Sequence, residues 1–507
     1  MTTATPQTGA PAPRKQDAPP RATQGDITNY AVGEGANSLS NNSMGNFGLL
    51  YLTVIIGLEP VLAGIILSVS LFWDALTDPL MGHISDNTRS RWGRRHPFLL
   101  LGGLSVAAVF LCYFTLPQFM DGSAWFIFGF FIVLNLAFKT AQTVYFVPYT
   151  AFGFEVCPQY DQRATLQGRR WFVNQTLNFL FGAAAWPLFF QDQINENTGE
   201  VLNGSRIASN YINMGVTISI AIAAVVIYCA LTTRRYAKDN RSEPKGDFSL
   251  MGFWKDFFSI FRDKLALFVI AFVVVAGFAM AFMAKTQMYT YVYFMEFSPW
   301  EKMFAHGGGM IAMALSAGML LPLLVRLIDK KPAGFVGMGL SIAGGVGLWL
   351  VFSTGLMPPQ YMPLDLASEL PFGMGEQPFH LSAIVFGVLQ MLWWGGCGIV
   401  VPLSLSMMAD VAGLNAKKTG TKPKNAGYAS VYSFCQKLSW SITGLVIASA
   451  IQAAGWVSGE NADQTPEAVR NIADLTFLSG PAIMVFAAIM LAFYPVNRKM
   501  MAEYGEE

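Results

Sequence analysis

The chain has 507 residues, of which 53% are hydrophobic and only 13% charged, with a mean hydropathy of +0.41. Soluble domains carry about 25% charged residues, so a soluble globular protein is excluded. Apolar runs of about 20 residues, each long enough to cross a bilayer core as a helix, recur along the whole length. The net charge of +1 and the lack of a basic block leave no signature of nucleic-acid binding. Cys112, Cys157, Cys229, Cys397 and Cys435 stand singly, with no CxxC, which argues against a zinc site or a disulfide framework.

Residues 1–28 are rich in Pro, Ala, Thr and Gln and have no apolar core of a signal peptide, so a disordered cytoplasmic tail is expected there. Twelve spans then follow, at about 32–56, 60–84, 97–117, 124–152, 165–190, 211–232, 265–295, 301–328, 333–355, 380–411, 426–454 and 475–496. The hydrophilic stretch 233–264 divides them into bundles of six, at 29–232 and 265–497, and residues 498–507 form a second tail. Its FSLMGFWKDFFSIF segment carries aromatics at helical spacing and suits a helix lying on the membrane surface.

Orientation follows from Lys and Arg. Arg206, Lys302 and Arg470 fall in loops after odd-numbered spans, whereas the tails and alternate loops hold most of the 33, including Arg89, Arg91, Arg94 and Arg95. The positive-inside rule therefore puts both termini in the cytoplasm. Six plus six spans joined by a long loop is the layout of two-bundle secondary transporters. The loop GHISD…RWGRR after span 2 has a weaker counterpart, RLIDKK, after span 8, as an internal repeat requires.

WDALTDPL places Asp74 and Asp78 one helical turn apart on one face of span 2, inside an otherwise apolar run. A charge at the bilayer centre costs at least about 2.5–3.5 kcal/mol, and two nearby carboxylates repel unless a cation lies between them or one is protonated. Cation binding and a structural bridge to a buried base both satisfy that requirement. Lys437 in span 11 is the opposite charge from the second bundle, and a bridge to it breaks and re-forms as access alternates. Arg169 and Arg170 open span 5; either snorkels to the cytoplasmic interface, or Arg170, the deeper of the two, reaches the cavity instead. Lys139, one turn before Thr143, either pairs with an acid such as Glu34 or acts as a tethered charge beside a cation site. Lys285 either lines the interior or snorkels outward. The polar stripe of span 1, from Glu34 to Ser43, faces the bundle interior. Trp171, Trp393, Trp394, Tyr145, Tyr149 and Tyr432 are candidate stacking faces for a sugar ring, although most aromatics in such bundles are packing.

Trp73-Asp74…Asp78-Pro79…Gly82, then Ser90-Arg91-Trp92-Gly93, resembles the span 2 signature of the glycoside–pentoside–hexuronide:cation symporter family, the melibiose permease-like branch of the major facilitator superfamily. Met408-Ala409-Asp410-Val411…Lys418-Thr419-Gly420 is similar to a second element of that family, and the likeness covers residues 30–497. The resemblance implies an all-α membrane protein of twelve helices in two six-helix bundles. It implies Na⁺ or H⁺ binding by Asp74, Asp78 and Thr143, coupling through Lys437, and a substrate contact by Arg170. The family's two sugar-gripping carboxylates fall on Ser38 and Phe146, and a tryptophan beside the sugar falls on Thr150. The remaining set, Ser38, Thr150, Arg170 and Lys437, with Lys139 as a further candidate substrate contact, is short of acceptors and positively biased, so melibiose is expected to bind poorly and a uronide or a substrate with a larger apolar face better. Asp86, Arg91, Arg94 and Arg95 match the superfamily's cytoplasmic gate, a loop that is also similar to that of sucrose carriers.

The expectation is a cation-coupled symporter for a sugar, glycoside or uronide, monomeric, in the cytoplasmic membrane, with no cofactor beyond the coupling cation. A lysolipid carrier of a related branch and a non-transporting receptor are the alternatives. No Ser/His/Asp set, metal-ligand cluster or phosphate loop points to an enzyme, and His83, His96, His306 and His380 are dispersed.

Overall fold

A computed structural model describes residues 22–119, 122–157, 160–194, 201–236, 257–364, 379–419, 425–459, 462–495 and 500. The expected tail 1–21, most of the inter-bundle stretch and most of 498–507 lie outside these residues. The described chain is mostly helical: α1 (Gln24–Val32), α2 (Glu34–Leu50), α3 (Pro60–Asn87), α4 (His96–Thr115), α5 (Ala124–Val156), α6 (Tyr160–Asn178), α7 (Ala185–Phe189) and α8 (Ala208–Thr232). The second half holds α9 (Lys264–Tyr289), α10 (Pro299–Leu315), α11 (Leu321–Ile328), α12 (Lys330–Leu348), α13 (Leu381–Thr419), α14 (Asn425–Ala453) and α15 (Pro466–Ala492).

Ten of these segments are long and apolar enough to cross a membrane. Two regions predicted as spans 1 and 5 are helical at the expected places but fall outside that count. Their sequences, EGANSLSNNSMGNFGLL and YDQRATLQGRRWFVNQTLN, are too polar. The physical reason is that α2 and α6 pack on each other inside the fold, where protein groups satisfy polar side chains such as Ser38, Ser40 and Asn42.

The predicted disorder up to residue 28 is corrected. Thr23 and Asp26 form a reciprocal capping box that starts a helix at Gln24. Ile27 and Tyr30 are then fully buried, and the Tyr30 hydroxyl donates to the Tyr149 carbonyl at 2.6 Å. Asp26 also meets Arg235 and, at 2.9 Å, the Tyr236 hydroxyl, so the chain entering the bundle is pinned to the chain leaving it.

The two halves repeat a distinctive local geometry. The helix at span 1 widens into a π turn over Tyr51–Ile55, and span 7 does so over Thr290–Phe294. In each, two amides then reach back five and six residues: Ile56 to Tyr51 and Leu58 to Leu52, Met295 to Thr290 and Phe297 to Tyr291. A left-handed residue follows, Gly57 (φ 75°) or Glu296 (φ 50°), and the next helix opens on Pro60 or Pro299. Gly57 takes that φ without strain; Glu296 takes it at a cost.

Across the halves, α3 packs against α14. Their backbones come closest at Gly64, where an added Cβ would stand 2.3 Å from the Ala448 Cβ. Further joints lie on the side away from the arginine-rich loops, here called the outer side. Thr53 meets the Tyr289 hydroxyl at 2.7 Å, the Gly459 amide donates to the Thr53 carbonyl at 3.0 Å, and Lys302 donates to Asn203 at 3.2 Å while lying over Trp186.

Candidate functional site

The four residues predicted to bind or couple a cation meet at one point. Asp74 and Asp78 project from α3, Thr143 from α5 and Lys437 from α14. The Lys437 ammonium lies 2.9 Å from Asp74 Oδ2 and also bonds Asp78 Oδ2. The Thr143 hydroxyl is 3.1 Å from Asp74 Oδ1 and 3.2 Å from Asp78 Oδ1, so it satisfies one carboxylate at a time. The Thr77 hydroxyl is 3.3 Å from that of Thr143. Trp73 Nε1 donates to Thr140 at 2.9 Å and fixes α3 against α5 beside the cluster.

Asp74 and Thr143 are buried, whereas the Asp78 and Lys437 side chains remain 32% and 27% exposed. The cluster therefore has a closed end within the first half and an open end at the seam with the second. Its non-lysine donors are all oxygens, which suits a hard monovalent cation or a proton and not a soft metal. Among the described residues, no group of three or more His, Cys, Asp or Glu gathers to hold a metal.

A second constellation surrounds Arg170. Its Nε and Nη2 donate to Glu34 Oε2 at 2.9 and 2.6 Å, Nη2 reaches Thr150 at 3.5 Å, and the guanidinium lies over the Phe146 and Tyr149 rings. The Glu34 and Arg170 side chains are only 6% and 9% exposed. Beside the set expected to be short of acceptors stands one carboxylate that the expectation did not include. Glu34 sits one turn before Ser38 on the same helix and supplies a carboxylate that neutralises Arg170. Ser38 itself is buried, donates to the Asn174 carbonyl at 3.1 Å and accepts from Asn42 at 3.0 Å, which makes it a joint between α2 and α6.

The pairing of Lys139 with Glu34 is corrected, because Arg170 occupies Glu34. Lys139 donates instead to Asn41 at 3.2 Å and Gln142 at 2.8 Å. Lys285 turns inward and donates to the Gly45 carbonyl, so it does not snorkel outward. Among the candidate stacking rings, Trp393, Tyr145, Tyr149 and Tyr432 are buried core. The Trp171 side chain lies outside the described residues.

In the predicted gate loop, Arg94 and Arg95 both pair with Glu155 at the end of α5, at 2.7 and 3.1 Å, and Arg95 also donates to the Ala151 carbonyl. Arg91 lies over Trp92. The Asp86 side chain lies outside the described residues. In the second half, Lys330 pairs with Asp410 at 2.5 Å, linking the RLIDKK repeat to the second sequence element. Sequence reasoning missed Glu155 and the Glu34–Arg170 pair. The signal for the latter was present: a lone carboxylate and a deep arginine in the two most polar spans have few other partners.

A two-half helical membrane protein with a carboxylate–lysine cluster bridging the halves defines a membrane transporter of the major facilitator type. The chain belongs to the MFS/sugar transport protein family, whose model matches residues 29–498. It is 23% identical over 480 residues to an uncharacterized symporter of Synechocystis sp., covering 79% of this chain and 80% of that one. It is 33% identical over 158 residues to the sodium-dependent lysophosphatidylcholine symporter 1 of Mus musculus, a match confined to 31% of this chain and 29% of the relative. Its fold is similar to that of the nucleoside transporter NupG (TM-score 0.59, 11% identity, 93% of this chain and 100% of the other). It is also similar to that of the xylose transporter XylE from E. coli (TM-score 0.54, 11% identity, 93% and 99%).

Proposed function

We propose that the protein is a cation-coupled symporter, importing a sugar, glycoside or uronide by alternating access across the cytoplasmic membrane. The observation that carries this reading is the Lys437 bridge to Asp74 and Asp78. It is the polar joint deep in the seam between α3 and α14, and a monovalent cation competes with the ammonium for the same oxygens. In this reading the polar helices at 24–55 and 160–189 complete a set of twelve spans, with both termini cytoplasmic and the protein a monomer.

Lys437 holds the halves together while no cation is bound. Na⁺ or H⁺ entering between Asp74, Asp78 and Thr143 releases the ammonium into the cavity, where it meets substrate. Cation and substrate thereby favour the same conformer, and each shifts the population only through its differential affinity. The outer joints at Thr53–Tyr289 and Lys302–Asn203 correspond to the cytoplasm-facing conformer. Arg91, Arg94, Arg95 and Asp86 form the gate that closes in the opposite one.

A sugar is favoured by the alternation of donors and acceptors along α2 and its neighbours: Glu34 with Asn37 at 3.1 Å, Asn37 with Asn41 at 2.6 Å, and Ser40 with Gln142 at 2.9 Å. A lysolipid is the second reading, supported by the apolar Phe146 face beside Arg170 and by the name of the mouse relative. Counterflow in proteoliposomes with a sugar panel, with and without Na⁺ and across a pH gradient, tests both. Cation-dependent counterflow of a sugar acid or neutral sugar supports the first reading; inhibition by lysolipid alone supports the second. Substrate exchange indifferent to every cation would defeat the symport reading.

A further inference from the structure

Among the described residues, Glu34, Asp74, Asp78, Arg170, Lys437, Lys139 and Lys285 are charged groups that stand within the spans. Glu34 is taken by Arg170, and Asp74 and Asp78 share Lys437. That leaves Lys139 of the first half and Lys285 of the second. Lys139 is held by Asn41 and Gln142, Lys285 by the Gly45 carbonyl. Among the described residues neither lies within ion-pair distance of a carboxylate.

Their supports fix their relation to each other. Asn41 and Gly45 are i and i+4 on α2, so the two ammonium groups are held at stations one helical turn apart on the same helix. One comes from α5 and the other from α9, on opposite sides of the boundary between the halves. Both side chains are partly buried but not sealed. Neutral acceptors take some of their protons; Asp74 and Asp78 act on Lys139 only through space, and the charge that acts on Lys285 is that of Lys139 itself.

Two like charges brought together in a membrane interior with no carboxylate bonded to either are costly, and ionisable groups kept there mark a substrate path. A structural role would pair them with acids, as Arg170 and Lys437 are paired. We propose that Lys139 and Lys285 form an anion subsite that binds the carboxylate, phosphate or sulfate group of the transported substrate, bridging the two halves through that group. Charge-assisted bonds from two ammonium groups to one oxyanion supply both strength and orientation.

The proposal rests on the transport reading and gives it a charge balance. A monovalent cation accepted by Asp74 and Asp78 adds a positive charge and frees Lys437; an anionic substrate offsets that added charge. The empty carrier is thus discouraged from closing with the cation alone, and the cation-loaded carrier attracts the anion. The polar stripe of α2 leads toward this subsite, so the hydroxyls of a sugar acid or sugar phosphate held there would face that stripe.

Calorimetry on the purified full-length carrier tests it. The probes are methyl β-glucuronide, glucose 6-phosphate and lysophosphatidate against the neutral methyl β-glucoside, with wild type, Lys139→Met, Lys285→Met and the double variant. At least one anion binds wild type tenfold or more tightly than the glucoside; each single variant cuts that preference about tenfold and the double variant abolishes it. Which anion prevails tells a sugar acid from a sugar phosphate or a lysolipid. The Lys139→Arg and Lys285→Arg pair, which keeps both charges, retains the preference and controls for misfolding. No preference for any anion in wild type, its survival in the double Met variant, or its loss in the Arg pair would overturn the proposal. Loss of cation dependence with the anion preference intact would instead defeat the symport reading and leave the subsite standing.

Discussion

Replacing Lys437 by Met tests the competition on which coupling depends. The ammonium lies 2.9 Å from Asp74 and also bonds Asp78, so a cation entering the cluster displaces at least one charged hydrogen bond. Such a bond is worth about 1.5–3 kcal/mol, which is roughly a tenfold to hundredfold penalty on cation affinity in the wild type. Removing the lysine also leaves two carboxylates without their base, a change that costs about 3–5 kcal/mol when nothing replaces it. The partial exposure of Asp78 lowers that figure and gives an external cation a route in. Lys437→Met is therefore expected to bind Na⁺ or H⁺ ten- to a hundredfold more tightly while losing concentrative uptake, because the link between the halves is gone. Titration of the purified carrier with Na⁺ and Li⁺ at several pH values, read by calorimetry, measures the first effect; proteoliposome uptake measures the second. A cation affinity unchanged or weakened in Lys437→Met would refute the competition, since it would make the lysine a support of the site.

Asp74→Asn and Asp78→Asn should each abolish concentrative uptake while leaving membrane abundance near normal, because removing a charge from an apolar span does not impair insertion; uptake and immunoblotting check both. Glu34→Gln should lower thermal stability by about 3–5 kcal/mol by stranding Arg170, and adding Arg170→Met should recover most of that loss, which thermal unfolding reads directly. Gly64→Val should push α3 from α14, where even a Cβ meets Ala448 at 2.3 Å. An overpacking strain of about 1–3 kcal/mol would bias the carrier toward an open outer side by up to a hundredfold. Labelling of cysteines placed near Thr53 reports the shift, and unchanged accessibility would contradict the assigned joint.

The fold was legible to the extent that hydropathy carries it. Apolar runs located most helices within a few residues, including those of spans 1 and 5, whose polar halves at Glu34 and Tyr160 leave them below the hydropathy of the other ten. The coupling cluster was legible because Asp74, Asp78 and Lys437 are costly where they stand, and cost is readable from a single residue. Partner choice was not. Arg170 and Lys139 compete for Glu34, and which wins depends on how α2, α5 and α6 turn toward one another, a property of no one segment. The helix at Gln24–Val32 was missed for a related reason. Its tail-like composition hid Thr23 and Asp26, whose capping box matters only because Tyr30 finds a slot against Tyr149.

The place of the cluster along the α3–α14 seam explains why ions serve there. At Gly64 an added Cβ would meet the Ala448 Cβ at 2.3 Å and the Gly444 carbonyl oxygen at 3.1 Å, so the seam has no room for a side chain there. Four residues on, the Ser441 hydroxyl still reaches the Ser68 carbonyl at 2.5 Å. By Asp74 and Asp78 only a side chain as long as lysine spans the gap. A seam that narrows toward the outer side and widens toward the arginine-rich side is the geometry of a rocking joint, in which the largest displacement falls where the gap is widest. Apolar side chains at that place would lose contact area with every opening and leave hydrocarbon facing water. Charged groups lose a bond but gain hydration, and a bound cation replaces the bond within one half. The free-energy difference between the two conformers then depends on what occupies Asp74 and Asp78, which makes the joint responsive to ligand.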